Sequence, residues 1–160
     1  MKKILVAIVS AMVLCGCLFV AGCGGSEETA SSAGAPLDEG VYTVDFESDN
    51  PSMIHVNEAC DGKATLTVEG DTMTLHLVMP SKNIVNMYAG LSDDAKKDGA
   101  ELIEPTVEEV TYDDGYVEEV NAFDVPVSVI DEEFDLAIIG KKGKWYDHKC
   151  TISNAEPKAD

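Results

Sequence analysis

The last strand-like stretch of the sequence carries the side chains best suited to holding a ligand. In residues 145–152, alternation places four side chains on one strand face: Tyr146, His148, Cys150 and Ile152. Cys150 and Ile152 suit a core, which leaves a phenol and an imidazole near the start of the strand. A phenol and an imidazole two residues apart on one apolar face could form a ligand site, with Tyr146 and His148 as its residues. The alternative is that Tyr146 only packs and that His148 bonds a backbone carbonyl.

The sequence lacks the usual catalytic motifs. It has no G-x-S-x-G, no H-E-x-x-H, no phosphate-binding loop and no C-x-x-C. The pairs Asp113-Asp114 and Glu118-Glu119 could attract Ca²⁺, but their spacing does not match the EF-hand loop, and solvated turn charges are the alternative explanation. We therefore expect a protein that is not an enzyme.

Short alternating runs separated by turn residues must position these side chains. Turn signals at Glu69-Gly70-Asp71 and Asp113-Asp114-Gly115 indicate hairpins. A capped acidic-to-basic segment at 92–99 predicts a single short helix. The pattern predicts an all-β protein, an immunoglobulin-like antiparallel sandwich with one inserted helix, over residues 37–157. The predicted strands are 41–46, 64–68, 72–79, 107–112, 116–123, 125–130, 134–139 and 144–153.

The first 22 residues have the three parts of a secretory signal peptide. Lys2 and Lys3 precede an apolar run over 4–19, and small residues follow. The apolar run is shorter than the roughly 20 residues that cross a bilayer. Val20-Ala21-Gly22-Cys23 resembles the bacterial lipobox, which implies cleavage before Cys23 and lipidation of that cysteine. Two alternatives are a weaker lipobox ending at Cys17 and an uncleaved membrane anchor.

The composition after Cys23 indicates a tether followed by one acidic domain. Residues 23–36 are rich in Gly, Ser and Ala and cannot bury an apolar face, so we expect a flexible link. Loss of residues 1–22 leaves nine lysines, no arginine and 30 acidic residues, a net charge of −21. Such a surface excludes nucleic acid as a partner. The predicted location is the extracytoplasmic face of the cell membrane, through the lipid anchor.

Of the five cysteines, Cys15 and Cys17 leave with the signal peptide and Cys23 is assigned to the lipid, so Cys60 and Cys150 remain. An even pair in an exported domain favours a disulfide, and closing so long a loop is worth ~4–5 kcal/mol in the chain-entropy model. Two free thiols or a soft metal site are the alternatives.

Several segments together resemble a NEAT domain, a bacterial cell-surface β-sandwich of which many members bind haem. The resemblance lies in Gly40-Val41-Tyr42-Thr43-Val44-Asp45-Phe46, Ser52-Met53, Lys63-Ala64-Thr65-Leu66-Thr67-Val68 and Trp145-Tyr146-Asp147-His148. Haem-binding members carry Y-x-x-x-Y on the last hairpin, so the resemblance implies a tyrosinate ligand at Tyr146. Ser52 and Met53 match the segment that covers the other haem face. Cys150 replaces the second tyrosine, which is a departure from the family pattern.

The resemblance implies a lipoprotein that binds haem or another iron ligand for uptake. Its partners would be the membrane, through the lipid, and an ABC transporter or another surface haem carrier. His148, or Met53 and His55 from the covering segment, could supply further iron ligands. Residues 82–90 exceed a minimal NEAT domain, and Met87 and Tyr88 are expected at the pocket rim. The alternative is a non-enzymatic interaction module that binds a protein or a glycan.

Replacement of Cys23 by serine should abolish incorporation of labelled palmitate in the producing cell, because serine offers no thiol for the thioether. Cys17→Ser is the matched control and should leave the label in place. Label that disappears with Cys17→Ser and persists with Cys23→Ser would move the anchor to the earlier lipobox.

Overall fold

The computed structural model describes residues 37–158. The signal peptide, Cys23 and the tether lie outside these residues, so their assignments remain predictions. Within the described range, no helix is both long and apolar enough to span a membrane. A 3₁₀ helix (Glu58–Cys60) and a short helix α1 (Ser92–Ala95) accompany the strands, which are β1 (Gly40–Ser48), β2 (Lys63–Glu69), β3 (Thr72–Val78), β4 (Ile84–Ala89), β5 (Thr106–Thr111), β6 (Val117–Val127), β7 (Glu133–Gly140) and β8 (Trp145–Pro157).

The strands form one antiparallel sheet in the order β4-β7-β8-β1-β2-β3-β6-β5. The predicted all-β antiparallel architecture is confirmed. The first and last strands are neighbours: Tyr42 pairs with Pro157, and Ser48 pairs with Cys150. The start of β1 and the end of β8 therefore share one end of the sheet. We call the opposite end, where β8 begins, the distal end.

The sheet curls so that one face encloses the core. Beyond the strand ladder, Met79 N donates to Asn121 O at 2.9 Å, and Asn121 Nδ2 donates to Ile84 O at 2.8 Å. The first bond extends the β3–β6 ladder, and the second ties β6 to β4 and so joins the two halves of the sheet on the side away from β1. Truncation of a fully buried leucine such as Leu75 to alanine costs ~2–5 kcal/mol in a core of this kind. The enclosed core includes Val44, Leu66, Leu75, Leu77, Phe123, Val125, Leu136 and Ile152.

Local sequence signals account for most elements. The hairpins at Gly70 and Gly115 form as predicted, and both glycines have positive φ, +59° and +82°. The helix begins at Ser92 as predicted but ends at Ala95. Pro126 does not interrupt β6, because β5 pairs with β6 only as far as Ala122 and the later residues of β6 lie at a sheet edge. Strand β4 was not predicted.

Cys60 and Cys150 are separate thiols in the structure. Cys150 is fully buried and points into the core from β8. Cys60 is half-buried beside a second apolar cluster made by Val78, Val110, Val120 and Ala122. The predicted bridge is thus not formed here, and a disulfide in the exported protein remains a prediction. Burial raises the pKa of Cys150 to about 12 and also raises that of Cys60.

In the reduced native protein, iodoacetamide at pH 8 should leave Cys150 unmodified, because a buried thiol with a pKa of about 12 presents almost no thiolate. Unfolding in urea should make both thiols react, as counted by intact mass. Rapid alkylation of native Cys150 would contradict this packing. The same count of modified thiols, made on the urea-unfolded protein without reductant, tests the disulfide. Two modified thiols would show that Cys60 and Cys150 are not bridged.

Candidate functional site

Tyr146 lies at the distal end of β8, on the strand face that further along the chain carries Cys150 and Ile152. It pairs with Ile138 of β7, and 36% of its surface is exposed. Its hydroxyl makes no hydrogen bond to any described residue, whereas Lys144 Nζ lies 4.7 Å from its ring centroid. Tyr146 is therefore a phenol held on a rigid strand with its oxygen available.

The turn between β7 and β8 places three lysines around this phenol. Gly143 N donates to Gly140 O at 2.9 Å, and Gly143 takes a positive φ of +71°, which glycine adopts without strain. Lys141 N donates to Asn83 O at 3.1 Å, which ties the turn to the residue before β4. A cavity of about 290 Å³ is lined by Asn83, Gly140, Lys141, Lys142, Lys144 and Tyr146.

These three lysines differ from most other lysines of the domain. Five form ion pairs with carboxylates: Lys63, Lys82, Lys96, Lys97 and Lys149. Lys158 lies 3.5 Å from the Thr65 hydroxyl. Within residues 37–158, Lys141, Lys142 and Lys144 have no acidic partner. The lysine charge without an acidic partner is thus concentrated at the β7–β8 turn, beside Tyr146.

The segment that follows β1, residues 49–57, covers the distal end and is called the lid here. Ser48 Oγ donates to Ile54 O at 2.9 Å, and Asn57 Nδ2 donates to Met79 O at 3.0 Å. Ile54 and Val56 are buried in the core. The lid is therefore anchored at both ends.

Met53 and His55 of the lid line a second cavity, of about 210 Å³. Its other lining residues are Ser52, Met79, Pro80, Ser81, Asn83 and Ile84. Asn83 lines both this cavity and the one at Tyr146. The structure therefore brings Met53, His55 and Tyr146 to neighbouring cavities, although they are far apart in the sequence.

His148 is placed differently from Tyr146. It is only 4% exposed, and its Nδ1 lies 2.8 Å from Asp49 Oδ1 at the start of the lid. Its Nε2 is buried without a hydrogen-bond partner, as is Nδ1 of His55. A carboxylate on one ring nitrogen and a free second nitrogen is the arrangement that orients metal-binding histidines. His148 does not line either of the two cavities, so its predicted role as an iron ligand has no direct access in this conformation.

Met87 and Tyr88 are not part of this site. Both lie on β4, where alternation sends them to opposite faces: Met87 is fully buried in the core. Tyr88 lines a separate cavity with residues 99–103 and Pro126. Both residues were expected at the pocket rim, and they line neither of the two cavities described above.

The donor set matches the ligands that haem iron accepts, which are phenolate, thioether and imidazole. Groups of three or more His, Cys, Asp or Glu side chains suited to a bare metal ion do not occur among residues 37–158. A haem iron needs only one or two protein ligands, so the two findings are compatible. Sequence reasoning missed Asp49 and Asn83, whose roles come from tertiary contacts with no local signal.

Comparisons with protein-family models, with curated proteins and with solved structures give no match.

The Asp49–His148 contact predicts how stability depends on pH. The hydrogen bond to His148 holds the pKa of Asp49 below its ordinary value. A carboxylate with a depressed pKa stabilises the fold above the unfolded-state pKa of about 3.9, and this contribution is lost as the pH falls through the lower folded-state value. Asp49→Asn should therefore lower the free energy of unfolding at pH 7, and the difference from wild type should shrink below about pH 4.

Urea titrations at pH 7, 5 and 3 measure this difference. Asp98→Asn is the control, because Asp98 is exposed and makes no ion pair with a described residue. An Asp49→Asn effect that is equal at all three pH values would contradict the proposed contact.

Proposed function

We propose that the chain is a membrane-anchored extracytoplasmic lipoprotein that binds haem or another iron ligand for uptake. The observation that carries the proposal is the exposed Tyr146 phenol, set among three lysines without acidic partners and next to the Met53–His55 cavity. The proposal does not involve catalysis, since the chain lacks a recognisable nucleophile–base motif.

Each part of the site has a task in this proposal. Tyr146 would supply an oxygen ligand to ferric iron. The half-buried Met53 and His55 would contact the bound ligand from the lid. When bound, the haem would supply the iron centre, while the protein determines its orientation and excludes water from it.

We infer an immunoglobulin-like sandwich related to NEAT domains, whose layers are the two halves of the curled sheet. Support comes from the lid after β1 and the tyrosine-bearing last hairpin, which lie together as the resemblance implies. The departure at Cys150 has a consequence, because this thiol is fully buried. No phenol supports Tyr146 from position 150, and the ring instead has Lys144 Nζ at 4.7 Å from its centroid.

The topology supports a site that faces away from the membrane. The described chain enters the sheet at Gly40, which pairs with Val68, and β8 ends beside Tyr42. Tyr146 lies about 11 residues before the end of β8, roughly 35 Å along an extended strand. A lipid at Cys23 would hold the near end, and the distal end would meet an ABC transporter or another surface haem carrier.

Ferric haem added to the mature domain should give a shifted Soret band and should quench Trp145, the single tryptophan of the chain, which adjoins Tyr146. Tyr146→Phe removes only the ligand oxygen and should change the Soret position and weaken binding by about tenfold or more. Absorbance and fluorescence titrations measure both effects.

Tyr116→Phe is the matched control, because Tyr116 is an exposed tyrosine on the β5–β6 turn. It should bind haem as the wild type does. Wild-type protein that leaves the haem spectrum unchanged would exclude haem as the ligand. Equal binding by Tyr146→Phe and wild type would remove Tyr146 from the site.

A second candidate function is an interaction module, and one observation favours it. The β5–β6 hairpin exposes Val107, Tyr116 and Val117 at the sheet edge. Tyr116 stacks on Tyr112 with ring centroids 5.9 Å apart. Such an apolar and aromatic surface suits a protein or glycan partner. If this is the function, Tyr116→Ala should abolish binding of the protein or glycan partner, and Tyr146→Phe should leave that binding unchanged.

A further inference from the structure

The charge around Tyr146 is opposite to that of the rest of the protein. The whole chain carries a net charge of −19. None of the six residues that line the Tyr146 cavity is acidic, and three of them are lysines. A cationic or neutral ligand has no electrostatic reason to bind at this position, whereas an anion has one.

The backbone of the turn holds these lysines in a defined arrangement. Gly140 and Gly143 close the turn through a hydrogen bond, and Lys141 N is fixed to Asn83 O. A Cβ added at residue 140 would lie 3.4 Å from Asn83 O, at the edge of ordinary van der Waals contact, so the turn packs closely against the residue before β4. The lysine stems are exposed, but their backbone positions are set before a ligand arrives.

The cavities differ in chemical character along the line that runs from the turn to the lid. The turn side presents the ammonium groups of Lys141, Lys142 and Lys144, with the Tyr146 ring behind them. The lid side is lined partly by apolar groups, among them Met53, Met79, Pro80 and Ile84. Asn83 lies between the two. A ligand that fits both sides carries acid groups at one edge and an apolar body at the other.

We propose that Lys141, Lys142 and Lys144 form an anion-binding subsite that selects ligands with at least two ionised acid groups on one edge. The subsite also sets the binding orientation: the acid groups lie at the β7–β8 turn, the flat face lies against Tyr146, and the apolar body points toward the lid. This inference rests on the proposed function and names the ligand class of that site. The three lysines are specificity-determining residues.

The strength expected of the subsite follows from its exposure. A single exposed ion pair contributes little to affinity, because water and salt screen the two charges. Three such contacts together should therefore change the affinity by about tenfold, and by less at high salt because exposed charges are screened. A tenfold effect is enough to favour ligands with ionised acid groups. Binding still requires the contacts that the site makes with the body of the ligand.

Ferric haem and its dimethyl ester provide a direct test, since the ester keeps the ring and the iron but has no ionised acid groups. Both are titrated in the same dilute detergent into wild-type protein and into the triple variant Lys141→Gln/Lys142→Gln/Lys144→Gln. Wild type should bind haem about tenfold more tightly than the ester. The triple variant should lose that preference by weakening haem binding alone.

Lys96→Gln/Lys97→Gln/Lys149→Gln is the matched control. It changes the net charge by the same amount at lysines that already have acidic partners, and it should keep the preference for haem. The subsite would be overturned, and the proposed function left standing, by either of two results. In the first, wild type binds haem and the ester with equal affinity; in the second, the triple variant loses affinity for haem and for the ester equally. Wild type that binds neither compound would overturn both.

Discussion

The pairing of the first strand with the last is the constraint on which the rest of this fold depends. Without the β1–β8 ladder, the sheet would separate into a three-stranded part, β4-β7-β8, and a five-stranded part, β1-β2-β3-β6-β5. Each part would expose an apolar face, and the core that the two parts enclose could not form. This contact joins strands about 100 residues apart, so it closes the longest loop in the domain and must overcome the corresponding chain entropy.

The same pairing assembles the candidate site. Because β1 ends beside Cys150, the lid that follows it reaches the start of β8, and Asp49 N donates to Lys149 O at 2.9 Å. The Asp49 carboxylate then meets His148, and Met53 and His55 come to lie near the β7–β8 turn. The lid, the tyrosine and the lysines thus owe their proximity to one long-range ladder. A ligand bound among them would in turn stabilise the contact between lid and hairpin.

Much of the fold could be predicted from the sequence, because alternation and turn residues are local signals. The hairpins at Gly70 and Gly115 and the start of the short helix were predicted correctly for this reason. Strand β4 was missed because residues 84–89 lie next to polar turn residues and pair with β7, a partner about 50 residues later in the chain. In that strand Met87 and Tyr88, which were expected at the pocket rim, lie on opposite faces of the sheet. Alternation placed Tyr146 and His148 on one face of the strand. It could not show that the lid buries His148 and leaves Tyr146 exposed.

We propose that the lid, Tyr146 and the lysine-bearing turn form one ligand site. Chemical-shift mapping with gallium protoporphyrin, a diamagnetic haem analogue, can locate that site residue by residue. The largest amide shifts should fall on residues 51–56, 81–84 and 140–147, and the β5–β6 turn at 112–116 should be unaffected. Shifts centred on residues 112–116, or spread without preference over the surface, would contradict it.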